Sequence, residues 1–244
     1  MGPERSSRLA LLAAIVAGAG GAFTVAGVAG AHFGAVAPFA GFRAFLLGTL
    51  LALIGGILGA FGLRATRGGV RGRDRAWFAV IVGALALGFV LAGALPGRGA
   101  PRINDFTTDP GDPPTFEYAV RDPETRGRDY SYPAGFAEQQ RAAYPDLAPI
   151  HLDVAPREAY EAARAAAESL GWHITLADPA RGVIEARDTS KLFRFVDDVA
   201  VRVRPADDGG SVVDIRSKSR DGQGDIGANT KRIRTFRSKI SGGA

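Results

Sequence analysis

The chain has 244 residues, room for one or two domains, and a formal charge of +5 that is unevenly held. Residues 1–95 carry eight arginines against Glu4 and Asp74, a net of +6, whereas residues 96–244 carry 22 Lys and Arg against 23 Asp and Glu, a net of −1. A basic total that resides in an apolar segment is a topology signal, which removes the main support for nucleic-acid binding. With no cysteine the chain has no thiol nucleophile, and this fits an oxidising compartment.

Three apolar runs, about 9–31, 44–63 and 76–95, each have the roughly 20 residues that a helix needs to cross the hydrocarbon core. The first is longer than the apolar region of a signal peptide, about 7–15 residues, so it reads as an uncleaved helix. The loop before the third run holds Arg64, Arg67, Arg71, Arg73 and Arg75 with only Asp74 against them, whereas the loop from Ala31 to Arg43 has Arg43 alone. The positive-inside rule then places the N-terminus and the arginine-rich loop in the cytoplasm. Three spans deliver the remainder to the opposite side, which in the inner membrane of a Gram-negative bacterium is the periplasm. Gly30 with Gly34, and Gly55 with Gly59, have the four-residue spacing that lets helix backbones approach, toward the chain's own helices or toward another membrane subunit. His32 and Arg43 fall near span ends, so the anchor reads as passive, without an ion path.

Residues 96–101 form a short linker, and residues 102–244 read as a soluble domain. No regular element fits Asn104 to Pro114, where Asp and Thr suit side-chain-capped turns better than a hard-cation site. Residues 116–132 read as an irregular arm and Phe136 to Tyr144 as a short helix before Pro145. Ile150 to Val154 is a strand. A helix opens on Pro156 and ends before Gly171, with Tyr160, Ala163, Ala167 and Leu170 as its core stripe. Strands follow at Trp172 to Leu176, Val183 to Ala186, Phe193 to Val196 and Val199 to Val203. Asp207-Asp208-Gly209-Gly210 turns the chain into a return strand, with Val213 and Ile215 on one side and Asp214, Arg216 and Lys218 on the other. A last helix is expected after Gly224, with Asp225 as N-cap. Ile226, Ile233, Phe236 and Ile240 would be its buried stripe, and Arg232, Arg234, Arg237 and Lys239 would face water. The order predicts an α+β domain, an antiparallel sheet with helices on one face, following three transmembrane helices.

The residues Asp198, Arg202, Arg204 and Asp214-Ile215-Arg216-Ser217-Lys218-Ser219-Arg220, followed by Asp225-Ile226-Gly227-Ala228-Asn229 and Lys231-Arg232-Ile233-Arg234, form a fairly specific signature. It resembles the C-terminal motif of the family catalogued as domain of unknown function 1499, found in bacteria and plastids. Ile103-Asn104-Asp105-Phe106-Thr107-Thr108-Asp109 resembles the motif that opens that domain. The resemblance covers roughly Arg102 to Ile240 and implies a domain assignment without an activity.

The sequence contains no G-x-S-x-G elbow, no P-loop, no zinc motif and no cofactor fingerprint. Gly222-x-Gly224-x-x-Gly227 lacks a βαβ context, and His151 with His173, on strands flanking a helix, lacks a third metal ligand. The remaining candidate site gathers Arg202, Arg204, Arg216, Ser217, Ser219, Arg220 and Lys231 with Asp105, Asp198, Asp225 and Asn229. Backbone donors at the start of the last helix would suit an anion such as phosphate, carboxylate or a lipid head group. Against it, Asp197, Asp198 and Asp214 would neutralise the arginines in cross-strand pairs. Two functions follow. The first is an extracytoplasmic binding or accessory module for a small anionic ligand or a membrane-protein partner, or for a second copy of the chain. The alternative is an enzyme acting on an envelope anion, with Asp105, Asp198 or Asp225 as acid or base.

Overall fold

The computed structural model describes residues 6–94, 99–225 and 227–242. They form two compact units, Met1–Pro96 with Lys191–Arg194, and Gly97–Ser190 with Phe195–Ala244. Ile226 and residues 96–98 of the expected linker lie outside the described residues.

The first unit is three helices, α1 (Arg8–His32), α2 (Pro38–Ala65) and α3 (Arg73–Ala94). All three are long and apolar enough to cross a membrane. Ser7 caps α1 by accepting the Ala10 N–H at 3.2 Å. α2 starts six residues before the apolar run, because Pro38 at its first turn has a helical φ and no N–H to lose. Arg43 therefore lies inside α2, its guanidinium 4.5 Å from the centre of the Phe39 ring.

Glycine sets how closely these helices meet. Gly41, Gly48, Gly55 and Gly62 recur every seven residues along α2 and all are buried. A Cβ on Gly48 would lie 2.4 Å from the Thr24 nitrogen, and one on Gly55 would lie 2.4 Å from the Ala17 nitrogen. The backbones of α1 and α2 are thus in direct contact, as small residues allow in apolar surroundings. Gly59 serves a different neighbour, since its Cβ would meet the Ala76 carbonyl of α3 at 2.8 Å. Gly34 is outside α1, with φ +73 and open space around it, so Gly30 and Gly34 do not form the expected pair.

The second unit is α+β. Its strands are β1 (Asp105–Thr107), β2 (Ile150–Leu152), β3 (His173–Asp178), β4 (Val183–Thr189), β5 (Val196–Pro205) and β6 (Ser211–Ser219). Its helices are α4 (Tyr118–Arg121), α5 (Phe136–Ala143), α6 (Pro156–Ser169) and α7 (Ala228–Ser241). The sheet order is β1-β6-β5-β4-β3, all antiparallel, with β2 beside β1 along the same edge of β6. His151 on β2 and His173 on β3 consequently stand at opposite edges of the sheet.

Period-two alternation gives the sheet two faces. On one, Ile184, Ala186, Val199, Val201, Val203, Val213 and Ile215 pack beneath Tyr160, Ala163 and Ala167 of α6 and Ile233, Phe236 and Ile240 of α7. Trp172 stacks on Phe236 with ring centres 5.5 Å apart. The other face is covered by the arm, residues 109–135, which carries α4 and a single 3-10 turn at Pro123–Thr125.

Three expectations are corrected here. The stretch from Asn104 contains β1, whose polar residues pair with the polar end of β6, so no apolar alternation announced it. Phe193 is outside the sheet, and β5 is one ten-residue strand from Val196. Arg232 does not face water: it is buried between Asp188 and Asp197 at 2.7 Å from each.

Candidate functional site

The arm-covered face carries the site. Side chains at alternate positions of β6 and β5 point there, so Asp198, Arg202, Arg204, Asp214, Arg216, Lys218 and Arg220 share it, and β1 adds Asp105 through the register Asp105↔Lys218. Ser217 and Ser219 are on the opposite, helix-covered face. There the Ser217 hydroxyl donates to Asn229 Oδ1 at 2.6 Å, and Asn229 Nδ2 donates to Ser219 Oγ at 2.9 Å. Asp225 accepts the N–H groups of Ala228 and Asn229 at 2.7 and 2.9 Å. The N-cap position is held by Gly227 rather than by the expected Asp225, which lies two residues earlier and reaches these N–H groups from outside the helix, consuming backbone donors that were expected to serve an anion. Lys231 is exposed on α7. The eleven candidates thus separate: Asp105, Asp198, Arg202, Arg204, Arg216 and Arg220 share the arm-covered face, and of the others Ser219 alone reaches the end of the sheet beside Asp198 and Arg220.

On the shared face almost every charge is matched. Arg216, 2% exposed, holds fully buried Asp105 in a two-pronged pair, Nε to Oδ1 at 2.9 Å and Nη2 to Oδ2 at 2.7 Å. It also donates to the carbonyls of Pro114 and Tyr130 on the arm, and its guanidinium faces the rings of Phe116 and Tyr132 at 4.9 and 5.4 Å. Burial is the main reason the Tyr132 hydroxyl is pushed up to about 12, with Asp105 adding to it. Arg220 grips Asp198 in the same two-pronged way at 2.8 and 2.7 Å, and the Tyr130 hydroxyl donates to Asp198 at 2.6 Å. Burial and then the Asp198 hydrogen bond hold Tyr130 protonated, well above its ordinary range. Arg202 and Arg204 converge on the buried Asp214 at 3.1 and 2.6 Å. The Asp105 and Asp198 pairs show what lets charges leave water, since each carboxylate oxygen gains a donor in return, whereas Asp214 accepts only through Oδ2 and its Oδ1 is buried without a donor among the described residues.

Three residues outside the candidate set complete the arrangement. Glu185 of β4, 1% exposed, accepts the backbone N–H groups of Glu117, Tyr118 and Ala119, anchoring the start of α4 to the sheet. Arg187 pairs with Asp122 and Glu124 of the arm. Lys218 donates to Asp105 Oδ2 at 3.0 Å, the oxygen that Arg216 already uses. Spacing of two from Arg216 places Lys218 on this face from the sequence alone. The role of Glu185 needs the arm's path, which no local pattern encodes.

At the end of the sheet where β1, β5 and β6 meet, a cleft of about 530 Å³ opens. It is lined by Asn104, Arg128, Asp129, Tyr130, Asp198, Lys218, Ser219, Arg220 and Gln223. That volume falls in the usual span of small-ligand pockets, roughly 300–1,000 Å³. A smaller cavity of about 260 Å³ lies beside α4. Its Arg181 is already paired with Glu117 and Asp178.

The family model described as "Protein of unknown function (DUF1499)" matches residues 105–240. The chain belongs to this family. No curated protein matches the chain. The DUF1499 region begins at the first residue of β1 and ends at the last buried residue of α7, so it comprises the whole sheet with both of its coverings. Its opening and closing motifs, far apart in the chain, are paired in space by Asp105↔Lys218, Phe106↔Ser217 and Thr107↔Arg216. The DUF1499 cleft lies at that seam.

Proposed function

We propose that this is a multi-pass bacterial inner-membrane protein that holds a periplasmic DUF1499 domain at the membrane, where the domain binds a small anionic ligand in the cleft at the β1–β6 seam. The observation that carries this reading is the sharing of one carboxylate by two cations. Asp105 balances either Arg216 or Lys218, not both, and Lys218 is the partner that lines the cleft. The cluster of Arg216, Asp105 and Lys218 thus sets two cations against one carboxylate at a concave wall, a local excess that favours an anion there. The orientation rests on the arginines between α2 and α3.

The enzyme reading is weaker on specific grounds. Asp105 and Asp198 are each held by a guanidinium on one face, and Asp225 binds the start of α7 away from them. The oxygens of all three carboxylates already accept hydrogen bonds, from guanidinium groups or from the start of α7, which makes them poorer bases.

Thermal unfolding of the full chain in mild detergent, with phosphate, sulfate or acetate at constant ionic strength, tests the binding reading. Stabilisation by one of these anions that is absent in Lys218→Gln is the expected result; identical curves for both proteins would overturn it. Orientation is read separately, because the chain contains no cysteine. Arg67→Cys should resist an impermeant maleimide on spheroplasts, and Asp207→Cys should react.

A further inference from the structure

Resting on the binding reading above, the charges of the cleft lead to the class of ligand. Arg220 is taken by Asp198, and Arg128 donates to Asp221 at 3.2 Å. The lining charges left over are Lys218, with its shared carboxylate, and Asp129. Among the described residues no ion pair joins Asp129 to a cation. Its Oδ1 accepts the Ser131 N–H at 2.8 Å, which fixes the carboxylate on the exposed side of the same cleft. Hydrogen bonds from Ser131 hold its carboxyl below the usual range, and Lys218 and Arg216 add to this more weakly, so it is charged at neutral pH.

A cleft with one cation that shares its carboxylate and one unmatched anion, not bonded to each other, is complementary to a molecule that carries both charges. We infer that the ligand is a zwitterion whose phosphate or carboxylate group meets Lys218 and whose primary ammonium meets Asp129. The ammonium is primary because Asp129 offers a hydrogen-bond acceptor, whereas a quaternary ammonium is recognised by a box of aromatic faces. Tyr130 is the one aromatic residue of the lining. The volume suits a ligand larger than a bare oxyanion. Two sources share this chemistry: amino acids, and aminoalkyl phosphates such as the phosphoethanolamine head of a lipid.

Calorimetric titration of the detergent-purified full chain with O-phosphoethanolamine, ethyl phosphate, β-alanine and propionate tests the inference. At least one ammonium-bearing ligand should bind about twofold to fivefold tighter than its ammonium-free analogue, the worth of an exposed ion pair. The phosphate pair and the carboxylate pair distinguish the two sources. Asp129→Asn should erase the preference, Lys218→Gln should abolish binding, and Lys218→Arg should restore it. If the analogues bind as well as the zwitterions, the zwitterion inference falls and the anion reading stands. If none of the four binds saturably, both fall.

Discussion

The two faces of the sheet are held to their coverings by opposite means. Toward α6 and α7 the contact is mainly apolar, with Phe236, Ile233 and Tyr160 against valines of β5 and β6, and a buried polar group of Arg232, Asp197, Ser217 and Asn229 beside the start of α7. Toward the arm it is a layer of ion pairs and buried carboxylates, with a small apolar cluster of Phe116, Ala119, Tyr130 and Ala200 among them. Apolar packing tolerates many partners of the right size, whereas a buried guanidinium accepts only a partner with matching oxygens. The difference teaches that the arm face is built for one specific covering, and the cleft opens where that covering ends.

The largest expected effect would come from splitting the central pair. Arg216→Met leaves Asp105 buried without its main partner and should cost about 3–5 kcal/mol. The double change Asp105→Leu with Arg216→Met should cost clearly less. Urea unfolding of the full chain, followed by hydrogen exchange in β5 and β6 peptides, reads both; equal losses would show that charge matching is not what holds this face.

Phe236→Ala on the opposite face should cost a similar amount, about 3–5 kcal/mol, through the cavity left beside Trp172. No second substitution on the sheet is expected to recover it by removing a charge. Recovery would erase the distinction drawn between the faces.

Glu185→Gln comes next. An amide keeps one acceptor for the three N–H groups of Glu117, Tyr118 and Ala119, so about 1–3 kcal/mol of local stability should go. Exchange should quicken across 114–131 and stay slow in α6 and α7. Uniform quickening would mean that Glu185 supports the sheet rather than the arm.

Asp197, beneath Arg232 on the helix face, offers a pH test. Burial, ahead of the attraction of Arg232, raises its carboxyl above the ordinary 3.8. A raised folded value means that its contribution to stability is fullest below the unfolded value and is lost as pH rises through the folded one. Asp197→Asn should therefore gain on wild type as the pH goes from 3 to 7; a constant difference would place the charge in balance. The smallest effect is expected at the surface. Arg234→Ala, which removes a half-exposed pair with Asp146, should cost no more than about 1 kcal/mol, fading in high salt.

Much of the architecture could be read from local pattern. The alternating valines of β5, the Asp-Asp-Gly-Gly turn and the spacing of Ile233, Phe236 and Ile240 each follow from the period of one element, and the candidate arginines of β5 and β6 share a face for the same reason. What the pattern missed shares a cause as well. β1 is three residues long with Phe106 as its single apolar side chain, too short for a visible alternation, and its strand character comes from β6. Arg232 looked solvated because a helix wheel does not know that Asp188 and Asp197 lie below it.

The sequence by itself determined three apolar helices, an antiparallel α+β domain and its family, because hydrophobic period and motif order are local properties. Tertiary structure alone decided which carboxylate answers which arginine, that Glu185 anchors the arm, and that Lys218 lines a cleft while sharing Asp105. Those outcomes depend on residues brought together from separate strands and a loop, and a charge is matched or unmatched only after the chain has closed around it.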